Sequence, residues 1–169
     1  MKKLDATLHF SKLSRESYRK HFVRIEDMWR EFRALIECRG SSTQRVLDID
    51  ITLQVLTLEF DREAIPLNQF EQHDRELFFE LLPDIELAIE YCHKRGWVHG
   101  DIKPSNILYI PKTRKIKLID FGASYRIGTW RELLKEWQLT PLFSSQEMIS
   151  GSGVVNEEDD WFSLNQMLK

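Results

Sequence analysis

The 169-residue chain lacks the features that mark several special classes of protein. Its only two cysteines, Cys38 and Cys92, have no metal-ligand spacing, so neither a zinc-stabilised nor a disulfide-rich scaffold is predicted. No apolar run approaches the roughly 20 residues of a membrane-spanning helix, and polar residues interrupt the N-terminal stretch where a secretory signal would lie. We therefore expect a reduced, cytoplasmic protein without membrane contact, in which two buried thiols are favoured over a disulfide.

An excess of basic residues is also missing. The net charge is −3, so nucleic acid is not predicted as a partner. Hydrophobic residues make up 42% and charged residues 30% of the chain, which is ordinary for a globular protein. A chain of this length can bury a core, either as one domain or as two small lobes.

The first part of the chain mixes strand and helix patterns. Weak alternation over residues 6–13 predicts a strand, and residues 27–37 carry apolar side chains at helical spacing. Residues 45–49 and 51–60 are rich in Val, Ile, Leu and Thr, which predicts two further strands. The polar run at residues 17–21 has no strand pattern.

The second part, after a boundary near residues 61–66, is predicted to be mostly helical. Residues 84–95 place apolar side chains on one helical face, with Pro83 in the first turn and Gly96 at the end. A last helix is predicted over residues 160–168. Two short strands interrupt the helical pattern, joined by a polar turn and predicted over residues 107–110 and 116–119.

Two segments flanking that hairpin carry the chemistry. Residues 99–108 read His-Gly-Asp-Ile-Lys-Pro-Ser-Asn-Ile-Leu, and residues 118–122 read Leu-Ile-Asp-Phe-Gly. A hairpin between them would bring both loops to the same end. Two carboxylates, an amide and a lysine would then meet, which is the set that phosphoryl transfer from a magnesium nucleotide needs. These residues are Asp101, Lys103, Asn106 and Asp120.

The two segments resemble the catalytic loop and the Asp-Phe-Gly metal loop of eukaryotic-like serine/threonine protein kinases. The resemblance implies an α+β, bilobal protein-kinase-like fold, with a reduced β-rich N-lobe over residues 1–60 and a mostly helical C-lobe over residues 61–169. It implies that Asp101 is the catalytic base or orients the acceptor hydroxyl, and that Lys103 contacts the γ-phosphate. Asn106 and Asp120 would bind Mg²⁺, with ATP as the phosphoryl donor and a protein Ser or Thr as the acceptor.

Two downstream segments extend the resemblance. Residues 140–147 are similar to the end of a kinase activation segment, Thr-Pro-x-Tyr-x-Ala-Pro-Glu, with departures at Phe143, Ser145 and Gln146. Residues 160–164 are similar to the start of kinase helix F, which implies that Asp160 accepts backbone N–H bonds from the catalytic loop. Taken singly, the first segment also fits a simple turn, and Asp160 also fits a helix N-cap.

The resemblance is weaker in the upstream segment, where the family binds the nucleotide. Glu31 fits the helix glutamate that pairs with the ATP-contacting lysine of the family. Lys12 is preferred over Lys20 as that lysine, because Lys12 lies on the strand-like stretch and Lys20 lies in the polar run. The alternative is that Lys12 and Glu31 are ordinary surface charges.

Residues 58–61 resemble the kinase hinge. The backbone at Glu59 and Asp61 would then bind adenine, and Leu58 would lie at the back of the pocket. No Gly-x-Gly-x-x-Gly precedes Lys12, which implies a reduced N-lobe, and the chain ends within the helix F region, which implies a truncated C-lobe.

Gly100 stands where most such kinases have an arginine that pairs with a phosphorylated activation loop. This departure predicts that activity does not depend on activation-loop phosphorylation through that route. His-Gly-Asp also occurs in aminoglycoside and choline kinases, and in small atypical kinases that partner tRNA-modification complexes. The Lys-Pro after Asp101 and the two downstream segments favour a protein kinase. A small-molecule phosphotransferase and a nucleotide-binding pseudokinase or interaction module remain as alternatives.

Overall fold

The computed structural model describes residues 16–169. The elements of this part of the chain alternate short strands with four α-helices. The strands are β1 (Ser17–His21), β2 (Val46–Asp50), β3 (Val55–Glu59), β4 (Ile65–Pro66), β5 (Trp97–Val98), β6 (Ile107–Ile110), β7 (Lys115–Leu118) and β8 (Tyr125–Arg126). The helices are α1 (Ile25–Glu37), α2 (Arg75–Lys94), α3 (Gln146–Ser150) and α4 (Glu158–Met167).

The N-terminal sheet is antiparallel, in the order β1-β3-β2. Its strand β1 occupies the polar run at residues 17–21, so the prediction that this run is not a strand was wrong. The residues of β1 are mostly exposed, and Ser17 to His21 pair with Glu59 to Val55. An edge strand keeps water on one side and needs no apolar alternation, because pairing with a buried neighbour supplies its stability. The strand predicted over residues 6–13 lies outside the described residues.

Strand β3 is shorter than predicted. Residues 51–54 form a turn instead of continuing the strand, and Gln54 has a positive φ of 53°. The apolar residues of this turn, such as Leu53, are exposed, whereas Val55, Leu56 and Leu58 are buried. The β-branched and aliphatic composition of residues 51–60 therefore extends over the turn before β3 as well as over β3 itself.

Helix α1 covers one face of this sheet. Its buried residues are Met28, Glu31, Ala34 and Leu35, spaced three, three and one positions apart as one helical face. Three of them are apolar and join the main core. Glu31 is a fully buried carboxylate on the same face. A buried charge of this kind requires a partner, which the site supplies.

Helix α2 begins at Arg75, nine positions earlier than the predicted start. Pro83 therefore lies inside the helix, and its placement in the first turn was wrong. The missing N–H of Pro83 removes one helical hydrogen bond. The helix continues because its apolar face packs into the core on both sides of the proline, with Leu81 before it and Ile85, Ala88, Ile89 and Cys92 after it.

The predicted hairpin is present as β6 and β7, which pair from Ile107 with Leu118 to Ile110 with Lys115. The backbone N–H of Ile119 donates to the carbonyl of Asn106 at 3.0 Å. The two loops that flank the hairpin therefore emerge side by side. This contact brings the catalytic-loop and Asp-Phe-Gly segments to one end of the hairpin, as the sequence predicted.

The hairpin also joins the two parts of the chain. The loop before β2 runs beside β7, where Gln44 N–H donates to Leu118 O at 2.9 Å and Leu118 N–H donates to Ser42 O at 2.8 Å. Both cysteines are free and buried, as expected. Among residues 16–169, no helix is long and apolar enough to span a membrane.

Candidate active site

The catalytic loop is a closed hydrogen-bond network around Asp101. Lys103 Nζ lies 2.6 Å from Asp101 Oδ2. Asn106 Nδ2 donates to the Asp101 backbone carbonyl at 2.9 Å and to Oδ2 at 3.1 Å. Thr140 Oγ1 donates to Oδ1 at 2.7 Å and accepts from Lys103 at 2.9 Å. Three predicted residues of this loop thus meet, and Thr140, the first residue of the downstream segment, joins them.

Asp120 begins the second loop in a left-handed backbone conformation, with φ 61° and ψ 71°. Its Oδ1 lies 2.7 Å from Lys20 Nζ. The same ammonium lies 2.8 Å from Glu31 Oε2 and 3.0 Å from Glu31 Oε1. Lys20 therefore connects β1, helix α1 and the loop after β7. This cation provides the partner that the buried Glu31 requires.

The charges of this triad shift one another's pKa values. Burial alone would lower the pKa of Lys20, but Glu31 and Asp120 raise it above its ordinary value. Burial opposes ionisation of Asp120 as well, yet Lys20 holds the pKa of this carboxyl below its ordinary value. Burial raises the pKa of Glu31, and Lys20 opposes that rise. The site thus keeps Lys20 cationic and Asp120 anionic at neutral pH.

Among the described residues, the lysine beside Glu31 is Lys20. Lys12 lies outside the described residues. The sequence argument set Lys20 aside because its neighbours show no apolar alternation. That argument failed because β1 is an exposed edge strand, in which only the inward-pointing Lys20 is partly buried.

Asp160 supports the catalytic loop from beneath. Its Oδ2 accepts from His99 N–H and its Oδ1 from Gly100 N–H, both at 2.8 Å. His93 Nε2 also lies 2.9 Å from Oδ2 in the buried interior. These are the backbone contacts that the resemblance implied. They fix the peptide units immediately before Asp101.

His99 packs between the two loops. Its ring lies 4.6 Å from that of Phe121, and its Nε2 is 3.0 Å from the Ile119 carbonyl, to which it donates. The side chain is fully buried. His99 thus fastens the catalytic loop to the Asp-Phe-Gly loop and is not placed to act as a base.

Gly100 is required by the backbone. Its φ is +81°, and a β-carbon at this position would lie 2.3 Å from the carbonyl oxygen of Ala123. An L-residue would be strained at that φ and would collide with a backbone atom, which cannot swing away as a side chain can. The chain therefore packs the loop after Asp120 into the space that an arginine would need.

A cavity of about 410 Å³ opens beside the Lys20–Glu31–Asp120 triad. Its lining combines apolar side chains with residues 58–61, at and just after the end of β3. Its lining includes Leu58, Glu59, Asp61, Leu108 and Ile119. The predicted hinge residues therefore border the same cavity as Glu31 and Asp120, and its volume is typical of small-molecule sites.

The donor set of this site fits Mg²⁺ held jointly with a nucleotide. Asn106 commits its Nδ2 to Asp101, which leaves its amide oxygen as a potential ligand. Within residues 16–169, no group of three or more His, Cys, Asp or Glu side chains could hold a metal. Magnesium bound by one amide and one carboxylate needs phosphate oxygens and water to complete its six ligands.

The protein kinase domain model matches residues 14–169 of the chain. The chain belongs to the protein kinase family. The kinase PK-1 of Cydia pomonella granulovirus superposes with a TM-score of 0.74 at 18% identity, over 90% of this chain and 57% of that one. The fold is thus the α+β bilobal kinase fold.

Three curated kinases are similar in sequence. Smooth-muscle myosin light chain kinase of Gallus gallus is 39% identical over 128 residues, or 75% of this chain and 7% of that protein. Human mitogen-activated protein kinase kinase kinase 19 is 32% identical over 64% of this chain and 9% of that protein. Cell division control protein 2 homolog 1 of Trypanosoma brucei brucei is 28% identical over 80% and 46%. The chain spans less than half the length of each of these kinases.

Proposed function

We propose that the protein transfers the γ-phosphate of ATP to Ser or Thr hydroxyls of protein substrates, in a reaction that depends on Mg²⁺. The observation that carries the proposal is the position of Lys20 between Glu31 and Asp120, at distances of 2.8 and 2.7 Å. Charged groups that shift one another's pKa values and line a cavity favour a functional site over a scaffold role. A nucleotide site uses such a cation to hold phosphate oxygens.

Each remaining site residue has a role in this reaction. Adenine would lie against the backbone of Glu59 and Asp61, and Lys20 would hold the phosphates. Asp101 would accept or orient the proton of the acceptor hydroxyl, in the position that Thr140 now occupies at Oδ1. Lys103 would offset negative charge on the transferred phosphoryl group.

Magnesium would bridge the phosphates and offset their charge when bound through Asn106 and Asp120. The Asp120 carboxyl favours such a role because its pKa lies below the ordinary value, which keeps it ionised. We also retain a cytoplasmic location as a prediction, together with the lobe boundary between residues 60 and 61.

We further propose that the activation segment needs no phosphate. Arg24 of the α1 N-cap lies 2.6 Å from Glu136, which provides a permanent negative charge on the segment. Arg30 donates to the Gly122 carbonyl at 2.8 Å and lies 4.9 Å from the Tyr125 ring centre. The Tyr125 hydroxyl donates to the Glu136 carbonyl at 3.1 Å. Helix α1 therefore contacts the segment after Asp120 at Gly122 and again at Glu136.

The direct test is incubation with γ-labelled ATP and Mg²⁺, with and without a generic protein acceptor. Asp101→Asn should abolish transfer while nucleotide binding persists, whereas Asp120→Asn should weaken Mg²⁺-dependent nucleotide binding itself. Asp84→Asn is a matched control, because Asp84 is exposed on α2. Choline and an aminoglycoside serve as competing acceptors. Transfer to one of these alone, or nucleotide binding without any turnover, would replace the protein-kinase proposal with one of the two alternatives.

A further inference from the structure

Gln44 is a buried polar side chain in the lining of the cavity. It is 8% exposed and lines the same cavity as Lys20 and Asp120. Its backbone N–H donates to Leu118 O at 2.9 Å, and its side-chain Nε2 donates to the backbone carbonyl of Glu59 at 3.0 Å. The backbone of Gln44 is therefore held by β7, and its side-chain amide is held by the last residue of β3.

The orientation of the Gln44 amide follows from this contact. Because a carbonyl oxygen only accepts, the NH₂ group must be the half of the amide that faces Glu59. The other half is the oxygen Oε1, which accepts no hydrogen bond from any group within residues 16–169. A reversed amide would place two acceptors against each other and lose the bond to Glu59.

Gln44 lines the cavity and contacts the Glu59 carbonyl directly. Leu58 beside it is apolar and 2% exposed. Lys117 also lines the cavity, but its Nζ is engaged by the Glu59 carboxylate at 2.5 Å. A ligand that reaches the Glu59 carbonyl therefore meets a second acceptor, the Gln44 amide oxygen, supplied by a different element of the fold.

The two purine bases differ at this point of contact. Adenine carries an N6 amino group, which is a donor of two hydrogens, whereas guanine carries the O6 acceptor. Resting on the proposed function, we propose that Gln44 is a specificity-determining residue that selects 6-aminopurine nucleotides. Its oxygen accepts the second N6 hydrogen, while the Glu59 carbonyl accepts the first.

Guanine at the same place would bring its O6 acceptor against two other acceptors, the Glu59 carbonyl and the Gln44 amide oxygen. Relief would require the Gln44 amide to rotate, which breaks its bond to Glu59 and leaves a buried carbonyl and amide oxygen opposed. The weaker binding of guanine therefore arises from the fixed orientation of the Gln44 amide as well as from the hinge backbone. An apolar side chain of the same length would remove this part of the discrimination and leave the contribution of the Glu59 carbonyl.

The test measures equilibrium binding of Mg·ATP and Mg·GTP to the whole chain by calorimetry. It compares the wild type with Gln44→Met and with the control Gln69→Met. Methionine matches glutamine in length, and Gln69 is exposed outside the cavity lining. We expect Gln44→Met to lower the ratio of ATP to GTP affinity by about tenfold, the equivalent of one neutral hydrogen bond. Gln69→Met should leave the ratio unchanged.

A second ligand tests the same point on the unaltered protein. N6-methyl-ATP keeps one N6 hydrogen, so the wild type should bind it about tenfold more weakly than ATP, and Gln44→Met should bind the two nucleotides nearly equally. An unchanged ATP-to-GTP ratio in a folded Gln44→Met variant would overturn the role of Gln44. If that variant does not fold, equal binding of ATP and N6-methyl-ATP by the wild type would overturn it. Failure of the wild type to bind any Mg·nucleotide would instead overturn the proposed function.

Discussion

The ammonium of Lys20 and the carboxylate of Asp120 lie 2.7 Å apart, although 100 positions separate them in the chain. Lys20 lies on an exposed edge strand of the first sheet, and Asp120 begins the loop after the hairpin of the second part. Helix α1 completes the contact through the buried carboxylate of Glu31. The site is thus assembled from three elements that no local pattern connects.

Removal of the shared cation should disable the nucleotide site. We expect Lys20→Met to reduce phosphoryl transfer by on the order of 100-fold, because one preorganised charge on the phosphates is lost. Lys12→Met, at the position that sequence pattern favoured, should have little effect. Initial rates with γ-labelled ATP and calorimetric nucleotide binding measure both. Equal losses in the two variants would contradict the assignment of Lys20.

Gly100 should tolerate no side chain. We expect Gly100→Ala to cost about 1–2 kcal/mol for the left-handed backbone and about 1–3 kcal/mol more for the collision with the Ala123 carbonyl. Gly128→Ala is the matched control, because Gly128 also has a positive φ, of +91°, but nothing within 4 Å of the added carbon. Urea unfolding measures both free energies. Similar costs at the two glycines would show that the collision relaxes without penalty.

Asp160 should couple stability to activity. Asp160→Asn replaces one acceptor oxygen with an NH₂ donor that faces a backbone N–H, and an unsatisfied buried donor costs about 1–3 kcal/mol. We therefore expect lower stability in urea and slower phosphoryl transfer, since the peptide units before Asp101 lose their support. Glu158→Gln, an exposed change in the first turn of the same helix, should alter neither quantity. A fully active Asp160→Asn protein would contradict the supporting role.

The buried pair of Arg131 and Asp159 predicts a pH effect on stability. Burial raises the pKa of Asp159 above its ordinary value, and Arg131 opposes that rise, so Arg131→Met should raise this pKa further. A carboxyl whose pKa is higher in the folded state binds its proton more tightly there. Its contribution to stability is therefore complete below the unfolded-state pKa of about 3.9 and is lost as pH rises through the folded-state pKa.

The Tm of Arg131→Met should consequently rise more than that of the wild type when the pH falls from about 7 to about 5. Addition of Asp159→Asn to this variant should abolish the extra slope, because position 159 then carries no titrating carboxyl. Thermal unfolding at several pH values measures the slopes. An identical pH dependence in the single and double variants would exclude Asp159 as its source.

Phosphatase treatment should leave the rate of phosphoryl transfer unchanged. The segment after Asp120 is tied to helix α1 through Arg24 and Glu136, and Gly100 cannot pair with a phosphate. Mass spectrometry would verify complete dephosphorylation, and rates would be taken after removal of the phosphatase. Activity that disappears on dephosphorylation and returns during autophosphorylation would show that a modified residue orders the segment.

The sequence by itself determined the part of the site that is local in the chain. Asp101, Lys103 and Asn106 lie within six consecutive positions, and one hairpin of strong β pattern separates them from Asp120. Turn chemistry and strand pairing act over such short distances, so the convergence of these residues could be predicted. The start of helix α2 could not, because packing of its apolar face overrides the interruption by Pro83.

Only the tertiary structure decided which lysine and which glutamine belong to the site. Lys20 lies in a polar edge strand without alternation, and Gln44 lies in a loop whose position depends on backbone bonds to β7. Their roles come from burial and from partners on distant elements, neither of which leaves a periodic signal in the sequence. The same holds for Gly100, where the carbonyl of Ala123 fills the space that a side chain would need.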